Sequence, residues 1–158
     1  MKKKAAVIDM GTNTFHLLMI AFDSRGFEVI YQEKVPVKIG QGGINQNIIL
    51  PEAEKRGLHT LGHFIQLIKG EGISRIFAFA TSAVRNANNG HSFIKKIKEQ
   101  TGIEVQVIDG DREAELIYKG IRLSGCLNSD NALMMDIGGG SVEFIIGNDL
   151  EILWKRSF

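Results

Sequence analysis

The sequence predicts an α/β chain: a mixed sheet with helices on both faces, then the opening strands of a second copy. Two observations predict it. Apolar runs and helical spacings alternate along most of the chain, and one glycine-rich strand–turn–strand segment occurs twice. In "VIDMGTNTFHLL" (7–18) and "MMDIGGGSVEF" (134–144), Asp9 matches Asp136, Gly11 matches Gly138 and Thr14 matches Ser141. Glycine is costly to order, so the triplet Gly138, Gly139, Gly140 implies a turn whose backbone comes close to something.

Residues 5–10 and 15–22 are apolar runs split by "GTNT" and read as a hairpin. "SRG" turns the chain into a third strand over 27–35, and a polar, glycine-rich loop occupies 38–47. Pro51 suits a first helical position, and Leu58, Leu61, Ile65 and Ile68 recur at helical spacing through 51–69. Strands are expected at 75–81 and 103–109, with helices at 91–100 and from Gly110 to Leu123. The order β-β-β-α-β-α-β-α, a meander feeding right-handed parallel crossovers, is that of ribonuclease-H-like folds, which actin-like and sugar-kinase-like phosphotransferases share. Residues 132–137, 141–147 and 150–157 start the meander again. The expected division is therefore a first domain over 1–128 and three strands of a second over 129–158. Three strands alone cannot bury both faces, so the reading expects a piece of a longer two-domain protein.

Composition narrows the function classes. The 158 residues suffice for an ordinary core, with 44% hydrophobic and 23% charged residues. A net charge of +1 makes no bulk case for nucleic acid or an acidic membrane, so attraction for anions must be local. Cys126 is the only cysteine, which precludes an intrachain disulfide. No apolar run approaches the ~20 residues of a spanning helix, and Asp9 interrupts the first run too early for a signal peptide. A soluble, cytoplasmic protein is expected, with neither nucleic acid nor membrane as partner.

Each glycine turn can aim several backbone N–H groups one way, and such nests bind phosphate. Thr12, Thr14 and Ser141 add hydroxyls, and Asp9 and Asp136 end their strands where a carboxylate can hold Mg²⁺. A single turn of this kind would be only a tight turn. Two in register favour a polyphosphate-type ligand.

Together, "VIDMGTNTFHLL", "FATSAVRNA", "VIDGDREAELIYKGI" and "MMDIGGGSVEFIIG" resemble the exopolyphosphatase / guanosine pentaphosphate phosphatase (Ppx/GppA) family, in the family's order and over essentially the whole chain. The resemblance implies Mg²⁺-assisted release of terminal phosphate from inorganic polyphosphate or guanosine pentaphosphate, in a cleft between two actin-like domains. It implies that Glu113 orients and deprotonates the attacking water, where the residues alone allow a first-turn acid that complements a helix dipole. Arg112 stands where the family usually has another acid, and Glu115 is the alternative base. Arg85 corresponds to a phosphate-contacting arginine; by itself it would read as surface charge. Gly11, Thr12, Asn13, Thr14, Gly138, Gly139, Gly140 and Ser141 are the expected phosphate-binding loops, with Ser82 a weaker candidate. Asp136 and Glu143, with Asp9, are the expected metal carboxylates. His16 holds the place of Glu143 in the first repeat and reads as a polar strand residue. His59 and His63 read as surface residues. A homodimer is expected for the longer protein, and the 158-residue piece is expected to be inactive or nearly so. The competing classes are an actin-like or sugar-kinase-like ATP-binding protein, a non-catalytic polyphosphate or nucleotide sensor and, more remotely, a ribonuclease-H-type nuclease.

Overall fold

Along strand β1 (Lys3–Met10) Ala6, Ile8 and Met10 are buried, and along β2 (Phe15–Asp23) Phe15, Leu17, Met19 and Ala21 alternate with less buried neighbours. This period of two puts one set of side chains on a single sheet face. In the computed structural model, which describes residues 2–158, β1 and β2 are antiparallel neighbours in a five-stranded sheet. The remaining strands are β3 (Gly26–Val35), β4 (Ile76–Ala80) and β5 (Val105–Val107). The order is β3-β2-β1-β4-β5, with β1–β4 and β4–β5 parallel. This is the expected ribonuclease-H-like arrangement.

Helix α1 (Pro51–Gly70) opens with proline at its start and buries Leu61, Phe64, Ile65 and Ile68, the apolar side of its 3.6-residue period. Helix α3 (Gly90–Thr101) buries Phe93 and Ile97 in the same cluster, together with Ile8, Met10, Phe15 and Leu17. Burying each of these large side chains stabilises by roughly 1.5–3 kcal/mol. Two short elements carry too little periodicity to be legible in the sequence. They are a 3₁₀ turn at Ile44–Gln46 and the single-turn helix α2 (Ser82–Arg85) that follows β4.

Contacts group the chain into two units, the first ending at Val107 and the second comprising Ile108–Phe158. The second unit is helix α4 (Gly110–Leu123) on an antiparallel sheet of β6 (Ala132–Ile137), β7 (Val142–Gly147) and β8 (Ile152–Ser157). Ala114 and Tyr118, one turn apart, pack on Met134 of β6 and Ile145 of β7. The buried ring of Tyr118 satisfies its hydroxyl by donating to the Asn148 carbonyl at 2.9 Å. The last strand starts at Ile152 rather than 150, because Asn148 Oδ1 accepts from the Leu150 and Glu151 amides and holds a turn there. Among the described residues no helix is long and apolar enough to cross a membrane.

Candidate functional site

In the first unit the pairing Met10↔Phe15 leaves residues 11–14 as the β1–β2 connection. The Gly11 amide donates to the Thr14 carbonyl at 3.0 Å and closes the turn. Outside it, the Thr12 carbonyl accepts from Gly40 N–H at 3.3 Å and the Asn13 carbonyl from Lys38 N–H at 2.8 Å. Across a planar trans peptide, C=O and the next N–H point opposite ways. The amides of Asn13 and Thr14 are thereby directed away from the Lys38–Gly40 loop.

Thr12 is buried, and its Oγ1 lies 3.0 Å from Ser82 Oγ. Ser82 opens α2 and the half-buried Arg85 closes it, while Thr81 N–H donates to the Met10 carbonyl at 3.4 Å. The bond from Thr81 thus ties the end of β4 to the end of β1, and the helical turn that follows starts with Ser82 beside Thr12. Asp9 lies on the sheet face opposite Ile8 and Met10, cross-strand from His16, whose buried Nε2 has no hydrogen-bond partner.

The second unit repeats the turn. Gly138 N–H donates to the Ser141 carbonyl, again at 3.0 Å, and Asp136 is cross-strand from Glu143 as Asp9 is from His16. Met134 and Ile145 are also directly paired, so Asp136 and Glu143 continue the sheet face that α4 covers. Glu143 is only 1% exposed and accepts from Ser157 Oγ at 2.7 Å. The N-terminus of α4 meets the sheet at this point, since a Cβ on Gly110 would lie 2.4 Å from Ser157 Cβ. Glu113, half-buried, is three residues on from Gly110, on the same helix face. Asp109 caps the helix by accepting from Arg112 N–H at 2.7 Å, an interaction worth about 1 kcal/mol.

Helix α4 carries three acids, Asp111, Glu113 and Glu115, and the last of them sits in a cluster of charges. Glu115 lies 2.6 Å from Lys155 Nζ and 3.0 Å from Arg112 Nη1. The hydrogen bond from Lys155, then that from Arg112, holds its carboxyl below the ordinary value. Arg112 is part of this cluster.

The residues present fit Mg²⁺, which takes one or two carboxylates and keeps several waters. Asp136 and Glu143 are hard oxygen donors on one sheet face, and Asp136 is exposed. Among the described residues no group of three or more His, Cys, Asp or Glu side chains is close enough to hold a metal. His59 and His63 are exposed, as expected, and His63 Nε2 lies 3.1 Å from Glu33 Oε2. Sequence reasoning missed Ser157. Its register opposite Glu143 follows a bulge at Ile146/Gly147 that no pattern announces.

The profile of the Ppx/GppA phosphatase family matches residues 19–157. The chain belongs to that family. An exopolyphosphatase from Cytophaga hutchinsonii is 46% identical with a TM-score of 0.96, over 99% of this chain and 50% of that one. A guanosine-5'-triphosphate,3'-diphosphate pyrophosphatase from Photobacterium profundum is 35% identical over 92% of this chain and 29% of its own length. The Ppx-GppA enzyme of Aquifex aeolicus, 23% identical with a TM-score of 0.87 over 99% of this chain and 52% of that one, shares the fold. This Ppx/GppA chain therefore spans half the length of the first of these structures and less than a third of the Photobacterium relative.

Proposed function

We propose that this chain carries catalytic and phosphate-binding residues of a phosphoanhydride hydrolase, one that releases terminal phosphate from inorganic polyphosphate or guanosine pentaphosphate. The observation that carries the reading is the duplicated turn, closed by a Gly11–Thr14 bond in one unit and a Gly138–Ser141 bond in the other, with an aspartate ending the preceding strand each time. Both substrates enter through relatives whose names specify them. The repeat also underlies our assignment of 1–128 as one actin-like domain and 129–158 as the opening strands of a second.

In this reading the amides and hydroxyls of Gly11, Thr12, Asn13 and Thr14, and of Gly138, Gly139, Gly140 and Ser141, bind phosphate oxygens. Arg85 offsets their charge with a guanidinium suited to paired oxygens. Glu113 accepts a proton from the water that attacks the terminal phosphorus; the bond from phosphorus to the bridging oxygen breaks, and the shortened phosphate chain leaves. Glu115 is bound by Lys155 and Arg112; Glu113 is the acid whose position matches the family's motif. Asp136 and Glu143, with Asp9, would hold Mg²⁺, which supplies neutralisation of the charge that builds up on the phosphate oxygens.

The test is phosphate release from medium-chain polyphosphate and from guanosine pentaphosphate by the full-length protein. Glu113→Gln should lower kcat by about 10²–10⁴ while leaving substrate affinity nearly unchanged. Release that survives the substitution removes Glu113 from the mechanism. Binding of either substrate without release by the unaltered protein favours a sensor.

A further inference from the structure

Lys38 has a φ of 52°, in the left-handed region, which disfavours any residue that carries a Cβ. Three hydrogen bonds hold it there. Its N–H donates to the Asn13 carbonyl at 2.8 Å, and its own carbonyl accepts from Gln41 N–H at 3.1 Å and from Arg56 Nη2 at 3.0 Å. Arg56, in the second turn of α1, also donates through Nε to the Val37 carbonyl at 2.9 Å. One guanidinium therefore grips two successive carbonyls of the loop. Two residues on, Gly40 N–H reaches the Thr12 carbonyl, and a Cβ on Gly40 would lie 2.8 Å from Thr12 Cγ2. Residues 37–40 form a strut, latched to α1 at one side and bonded to both inner carbonyls of the 11–14 turn at the other.

We propose that Arg56 is a positioning residue for phosphate binding: by fixing the Val37–Gly40 strut it turns the Thr12 and Asn13 carbonyls outward, and so aims the Asn13 and Thr14 amides at the ligand. This rests on the reading of 11–14 as a phosphate-binding turn. In this role Arg56 acts through the strut, with Nε and Nη2 both donating to its carbonyls. Its planar fork suits the task, because Nε and Nη2 donate in fixed geometry to neighbouring carbonyls, whereas a lysine ammonium is a single point donor.

The experiment compares the chain with its Arg56→Gln, Arg56→Lys and Gly40→Ala variants. Two quantities are read: solvent exchange of the Lys38 and Gly40 amides by NMR, and the Kd for tripolyphosphate with Mg²⁺ by calorimetry. Arg56→Gln should speed exchange at Lys38 and Gly40 but not at Gly138, and weaken tripolyphosphate binding about tenfold. Arg56→Lys should fall between. Gly40→Ala keeps Arg56 and disturbs the strut from its far side; it should weaken binding in the same way. Faster exchange with an affinity within twofold of the parent overturns the positioning role, and so does unchanged exchange. A parent chain that binds no tripolyphosphate overturns the phosphate reading itself. The exchange arm then decides the latch alone, with acceleration supporting it and no change overturning it.

Discussion

Ser157 Oγ donates to Glu143 Oε1 at 2.7 Å, giving a carboxylate that is 1% exposed a partner from the adjacent strand. Leaving a buried acceptor without its donor costs about 1–3 kcal/mol. Ser157→Ala should therefore destabilise the second unit by that amount. Trp154, on the same strand and the chain's only tryptophan, reports unfolding by fluorescence in urea. A midpoint unchanged from the parent would mean that Glu143 finds another donor.

The hydroxyls of Thr12 and Ser82 lie 3.0 Å apart in a buried pair. Thr12→Val and Ser82→Ala each leave a hydroxyl with no partner and should each cost about 1 kcal/mol. The double variant should cost less than the sum, since both ends of the bond are then gone. Thermal unfolding of the four proteins measures the coupling, and strict additivity would show that the two hydroxyls are energetically independent.

Gly110 has no room for a side chain, because its Cβ would fall 2.4 Å from Ser157 Cβ, an atom fixed to its own backbone. Gly110→Ala should push the start of α4 off β8, costing roughly 1–3 kcal/mol as other overpacking does. It should also lower phosphate release, because Glu113 sits in the same helical turn. A fully active alanine variant would separate the role proposed for Glu113 from the seat of the helix.

The chemistry of Glu115 gives a pH dependence. Its carboxyl is held below the ordinary value, first by the Lys155 hydrogen bond and then by Arg112. A depressed folded-state pKa stabilises above the unfolded value, and that contribution disappears as pH falls through the folded value. Lys155→Met should move the Glu115 titration upward and flatten the loss of stability in acid below about pH 4.5. Side-chain carboxyl NMR follows the first effect and thermal unfolding at several pH values the second. Since the pair is partly exposed, salt should weaken both.

The sheet order was legible because the apolar runs of β1 and β2 and the helical spacing in α1 are strong local signals. The two turns were legible because they repeat: the Gly11–Thr14 and Gly138–Ser141 bonds fall at matched positions. Other features depend on contacts between distant segments. Helix α2 is a single turn, too short for periodicity, yet it brings Ser82 to Thr12. Ser157 reaches Glu143 only after the bulge in the β7–β8 ladder. The strut carrying Lys38 read as a polar loop, since neither its left-handed backbone nor its grip by Arg56 leaves a mark on local composition.

The account stands on backbone amides of both turns taking up phosphate oxygens. Titrating tripolyphosphate with Mg²⁺ into ¹⁵N-labelled chain, and following the amide resonances of residues 11–14 and 138–141, examines this residue by residue. The amides of each turn should shift and saturate, while amides in the Phe22–Phe27 hairpin stay still. Saturable binding that leaves both sets unmoved would contradict the account.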